Sequence, residues 1–172
     1  PGTVTETAEL VTERGGEGIA VRCDHTVDAD VEAQLERIER EQGRLDLLVN
    51  NVWGGYEDYD ETFDDPFWAQ PLDRWDAMFD AGVRARFTAS RLAAPLLFES
   101  DRGLVVATSS GDGAKYRGSV PTDVAKTAVD RLGKATAHEL REHGVAAVVV
   151  SPGFTDTDGS QPPAFELDTE PL

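Results

Sequence analysis

Only one cysteine, Cys23, occurs in 172 residues, so no disulfide forms within the chain, and a lone thiol fits a reducing cytoplasm. Lysine is almost as scarce. Three lysines (Lys115, Lys126, Lys134) and 13 arginines stand against 33 acids, for a formal net charge of −17. A surface of that sign repels phosphate backbones and anionic bilayers, which argues against nucleic-acid and membrane-surface partners. Scarce lysine with abundant acid resembles proteins adapted to concentrated salt, where screening mutes self-repulsion. No apolar run approaches a membrane span and no basic-plus-apolar leader is present, so a soluble, cytoplasmic protein is expected. Metal-ligand spacing is missing as well. Cys23 and His25 lack a second ligand pair, and His138 and His143 lie five apart, so they diverge around a helix.

What is present alternates between two periods, at a length that suits one core. Residues 4–14 have helical spacing and stop at Gly15-Gly16. Gly18 to Cys23 reads as a strand ending at Asp24. Thr26 or Asp28 is the expected cap of a helix with Val31, Leu35 and Ile38 on one stripe, closed by Gly43. Leu45 to Val49 is the next strand. An acidic, aromatic loop follows over residues 50–72, longer than a compact domain normally carries without a use for it. The longest helix runs from Leu72 to about Ser100, with Asp73 as cap and Trp75, Met78, Phe79, Val83 and Phe87 inward; Pro95 predicts a kink or break. After an apolar strand from Leu104, a helix spans about Pro121 to His143, and a last strand Val145 to Val150. Four strands and four helices in alternation predict a three-layer α/β domain with a parallel sheet. Residues 1–157 form that domain in this reading, and 158–172 a polar acidic tail.

The chemistry-bearing stretch lies between Gly103 and Leu132. Ser109 and Ser110 close the strand, a Gly-rich loop holds Tyr116, and Lys126 sits early on the next helix, with Thr122 one turn before it. In parallel α/β sheets the ends of neighbouring strands share one crevice, so a hydroxyl and an ammonium distant in sequence converge there.

Asp24, Asn50-Asn51, Ser109-Ser110, Lys126 and Pro152-Gly153, each at a strand end or on the following helix and in that order, resemble the short-chain dehydrogenase/reductase family. Asn50 to Gly55 and Phe67-Trp68 look closest to its "SDR family member 1" branch. The resemblance implies a partial Rossmann-type sheet and an NAD(P)-dependent oxidoreductase acting on a small carbonyl or alcohol substrate. It implies NAD or NADP as cofactor, with Asp24 at the adenine and Asn51, Val52 and Trp53 along ribose and phosphates. Lys126 would bind the nicotinamide ribose, and Pro152, Gly153, Thr155 and Thr157 the carboxamide. Ser110, with Ser109 as the alternative, would polarise the carbonyl. A homodimer through the two long helices is implied too.

Three departures qualify this. The family's acid/base tyrosine, four residues before the lysine, is Thr122, and an aliphatic alcohol does not ionise where a phenol beside an ammonium can. Tyr116 is the nearby substitute phenol. The family's helix asparagine falls at Gly82. The Gly-rich cofactor turn and the last strand have no counterpart in these residues. The expectation is a segment of a dehydrogenase, impaired or inactive as it stands; the alternative is a non-catalytic relic or a dimerisation and binding module on the same scaffold.

Overall fold

Thr3 supplies the first helix with the acceptor its backbone lacks. Thr3 Oγ1 accepts from the Glu6 N–H at 3.1 Å, and Glu6 Oε2 accepts the Thr3 N–H at 2.6 Å, a capping box that opens α1 (Val4–Glu13). The computed structural model describes residues 3–55, 62, 65–110, 116 and 119–152. These fall into two compact units, 3–22 and Cys23–Pro152.

In the first unit Gly15 takes a left-handed φ of 87° after α1, as expected of a terminating glycine. The strand expected over Gly18–Cys23 is not formed. A strand is defined by its ladder, and no described strand lies beside this run. Its first N–H, of Gly18, goes instead to Thr12 Oγ1 at 3.1 Å, and the chain passes so close to α1 that a Cβ at Gly18 would lie 1.9 Å from the Ala8 carbonyl oxygen.

The second unit runs α2 (Asp28–Gln42), β1 (Leu47–Asn50), α3 (Leu72–Phe79), a π-helical turn (Asp80–Arg84), α4 (Ala85–Phe98), β2 (Leu104–Thr108), α5 (Val120–Leu140) with a 3-10 turn (Arg141–His143), and β3 (Ala146–Val150). The three strands pair in parallel in the order β1-β2-β3. Leu47 lies opposite Leu104, and Leu104 opposite Ala146, so the carboxyl ends stay level. The parallel α/β arrangement is the expected one. Helices cover one face, where Val31 and Leu35 of α2, Ala89, Ala93, Leu96 and Leu97 of α4, and Val105 of β2 form the core with Leu140 and Val145. Leu47, Val49, Val148 and Val150 alternate outward and are exposed, so this unit contains two of the three expected layers.

Local signals met tertiary competition at the helix starts. Neither Thr26 nor Asp28 caps α2; Val27 stands at the cap, Thr26 bonds Asp24, and Asp28 pairs with Arg84 at 2.7 Å. Pro71, not Asp73, precedes α3, although Asp73 complements the dipole from the first turn. Ser119 caps α5. Pro95 does not end α4; Pro95 and Arg91, whose carbonyl loses its partner to the ring, both lie on an exposed face, where solvent satisfies that oxygen. The irregularity lies instead at residues 80–84. The apolar row from Trp75 to Phe87 is not a single buried stripe: Met78 is buried, while Trp75 and Phe87 are exposed. Close contact with the sheet selects small side chains, and Ala85, Ala89 and Ala93 occupy it.

Among the described residues no helix is long and apolar enough to cross a membrane. Leu97 is fully buried in the core. Leu97→Ala should lower stability by about 2–5 kcal/mol, read as a reduced denaturation midpoint with an unchanged slope in urea.

Candidate active site

The level strand ends bring three segments to one edge: Asn51–Trp53 after β1, Ser109–Ser110 after β2, and Ser151–Pro152 after β3. Each join is fixed by a side chain or by extension of the ladder. Asn50 is buried, and its Nδ2 donates to Ser90 Oγ of α4 at 3.0 Å. Asn51 Oδ1 accepts from the Thr108 hydroxyl at 2.5 Å, tying β1 to β2. The Ser109 N–H reaches the Val150 carbonyl at 2.8 Å and carries the β2–β3 ladder one residue further. Ser109 is buried; Ser110 is exposed.

Trp53 is the centre of the site. Its indole lies under Lys126, with Nζ 3.5 Å from a ring centroid, a cation–π contact. On its other side it meets the π turn: a Cβ at Gly82 would lie 2.7 Å from Trp53 Cζ3. The residue at the family's asparagine position is therefore glycine because the indole occupies the volume a side chain there would need. Gly54 and Gly55 continue this close approach, with Gly55 at φ 81° and its notional Cβ 2.6 Å from Met78 Cγ. A π turn at a functional edge is a common association.

Lys126 is half-buried. Burial pulls its ammonium from the ordinary 10.5 down to about 8; the nearby Arg86 guanidinium pushes the same way, and Asp130 opposes. The indole face favours the charged form as well. No hydrogen-bond acceptor holds Nζ among the described residues, and one buried Asp130 oxygen lacks a donor. Arg86 and Asp130 escape a sequence reading, since nothing in helical periodicity marks a charged residue as inward-facing. The glycine inside a long helix was the one available signal, and it pointed at Trp53.

Thr122 occupies the position one turn before Lys126, but its hydroxyl is engaged. It lies 2.9 Å from Ser119 Oγ, within the cap of α5, and 3.6 Å from Met78 Sδ. Asp24, at the far end of the edge, accepts from the Thr26 hydroxyl at 2.7 Å and the Thr26 N–H at 2.9 Å through Oδ1. Those bonds, the hydroxyl's first, hold its carboxyl below the usual range. Tyr116 is exposed. Pro152 is exposed beyond β3, and Gly153, Thr155 and Thr157 lie outside the described residues, as do the tail 158–172 and residues 111–115 of the Gly-rich loop. The structure thus brings Trp53, Lys126, Gly82 and Arg86 together, and sets Thr122 into a helix cap.

A family model described as short chain dehydrogenase matches residues 2–164. "Dehydrogenase/reductase SDR family member 1" of Mus musculus is 38% identical over 157 residues, covering 91% of this chain and 50% of that protein. The Homo sapiens protein of the same name is 36% identical over the same shares. The chain spans about half the length of these curated relatives. Among solved structures, a metagenomic short-chain oxidoreductase in complex with NADP superposes with a TM-score of 0.77 at 25% identity, over 88% of this chain and 66% of that one.

Two measurements check the geometry. Gly82→Asn should destabilise by about 1–3 kcal/mol through overpacking, and Trp53→Ala in the same chain should recover most of that loss in a double-mutant cycle. For Lys126 the sign follows from its lowered pKa. Between about 8 and 10.5 the unfolded lysine holds a proton that the folded one has released, so its contribution to stability rises with pH across that window. Denaturation midpoints at roughly pH 7.5 and 9.5 should rise more with pH for the parent than for Lys126→Met.

Proposed function

Because this chain belongs to the short-chain dehydrogenase family, we propose that it is part of an NAD(P)-dependent oxidoreductase that interconverts a small alcohol and its carbonyl compound. The observation that carries this reading is Lys126. Its three ammonium donors have no acceptor among the described residues, at the strand edge where a Rossmann-type sheet takes a dinucleotide. Vicinal ribose hydroxyls are the acceptors such a group suits. Asp24 keeps Oδ2 uncommitted for an amino donor, since Thr26 uses Oδ1 alone, which fits an adenine. The residues present therefore fit NAD or NADP: Lys126 and Asn51 at the ribose, Val52 and Trp53 along the groove, Asp24 at the adenine, and Pro152, Gly153, Thr155 and Thr157 at the carboxamide. When bound, the nicotinamide supplies or takes up the hydride.

This chain's own residues orient and polarise. Ser110, exposed where Ser109 is buried, donates its hydroxyl to the substrate oxygen. Lys126 and Arg86 hold positive charge at the edge where that oxygen becomes negative. The proton is the weak point. Thr122 cannot ionise near neutrality, and its hydroxyl serves the α5 cap, so turnover is slow. A second copy seated across α4 and α5 fits the exposed Phe87 and Phe98, which line a groove of about 330 Å³ between those helices. The single thiol fits a cytoplasmic setting.

A non-catalytic binding or dimerisation module is the second reading, favoured by the same engagement of Thr122. Titration with NADH and NADPH, followed by nicotinamide fluorescence, separates the two. Binding of either in the full-length protein is expected, and none at millimolar concentration (on the order of 4 kcal/mol of affinity) overturns the dehydrogenase reading. Thr122→Tyr should raise carbonyl reduction by about 10²-fold or more, the contribution typical of a positioned general acid.

A further inference from the structure

Arg86 is 1% exposed, although arginine is rarely buried without a carboxylate partner. Here no carboxylate pairs with it among the described residues. Its Nη1 donates to the Thr108 carbonyl at 2.6 Å and its Nη2 to the Val52 carbonyl at 2.9 Å, while Nε has no partner. Those two carbonyls belong to the last residue of β2 and to the segment leaving β1. One rigid fork, projecting from α4, thus spans the two chain segments that frame the site, beneath Trp53 and on the Lys126 side.

We propose that Arg86 is a positioning residue of the active site, a buried guanidinium strut that sets the spacing of the β1 and β2 ends and the charge environment of Lys126. The inference rests on the dehydrogenase reading above for its consequence in cofactor binding, but not for its geometry. A neutral amide could donate to both carbonyls without a buried charge. Retention of a charged group in that place points to a second task, and Lys126 is the group it faces. The charged and polar groups around the Lys126 ammonium are Arg86 from α4, Asp130 from α5 itself and the Trp53 indole from the segment after β1. Burial lowers the Arg86 guanidinium too, so the two cations share a poorly solvated corner where each disfavours the other. The fork holds Val52, and with it the neighbouring Trp53, against the β2 end; the indole in turn seats Lys126. Loss of the fork should loosen all three.

Two substitutions in the full-length protein separate the strut from the charge. Arg86→Lys keeps the charge and loses the double donation; Arg86→Gln loses the charge and keeps donors. Lys126 is titrated by NMR after reductive ¹³C-methylation, its signal assigned by its disappearance in Lys126→Arg, and cofactor affinity is measured with NADPH and NADH. Arg86→Gln should move the Lys126 midpoint from about 8 towards the ordinary 10.5, whereas Arg86→Lys should leave it in place. Arg86→Lys should weaken cofactor binding about tenfold, the equivalent of roughly one charge-assisted hydrogen bond. An unmoved Lys126 midpoint in Arg86→Gln overturns the electrostatic role, and unchanged cofactor affinity in Arg86→Lys overturns the strut. If Arg86→Gln fails to fold, the Arg86→Lys affinity alone decides the strut. If the parent binds neither cofactor, the dehydrogenase reading fails while the Lys126 titration still decides the electrostatic role.

Discussion

Everything at the site depends on the level pairing of β2 with both of its neighbours. Parallel register sets Asn50 opposite Ala107, and Ala107 opposite Val149. A slip by one residue would turn Asn50 and Val105 out to solvent and bring Val49 and Val106 in. It would also pull the Thr108 hydroxyl away from Asn51 and the Val52 carbonyl away from the Arg86 fork. The chemistry is carried on short segments just past the strands, and backbone pairing holds those segments level.

The departures from the dehydrogenase pattern are connected in space. Glycine replaces the helix asparagine because an indole fills its place, and that indole carries the lysine. A large flat ring in contact with the ammonium lowers its exposure to water, and burial then draws its pKa towards neutrality. Thr122, where the acid/base phenol would stand, has turned to its own helix cap and to Met78. The edge retains positive charge and donors suited to a nucleotide, while the proton donor of the reaction is reduced to an alcohol that cannot ionise. Orientation and electrostatic stabilisation survive such a change better than proton transfer does, since they need no group with a pKa near the working pH.

Much of this was legible from residues alone. Apolar runs ending in Asn50-Asn51 and Ser109-Ser110, and a lysine two turns into the next helix, place the site without coordinates, because strand ends and helix starts carry strong local signals. Gly43 ended its helix as read, with φ 73°. Less legible was anything decided between elements. Thr26 and Asp28 are equally good caps by type, yet each found a better partner, Asp24 and Arg84. Phe87 looked like core by hydrophobicity and lies outside, while Arg86 looked like surface and lies inside.

Local chemistry by itself determined the alternation of helix and strand, the parallel class of the sheet, the positions of the strand ends and the missing phenol, since each follows from side-chain period, backbone preference or an intrinsic pKa. Tertiary structure alone decided that residues 18–23 go without a ladder, that Gly82 is the counterpart of Trp53, and that a guanidinium joins two strand ends beneath the lysine. Those outcomes depend on which surfaces meet, and contacts between residues 30 or more positions apart leave no periodic trace along a single chain.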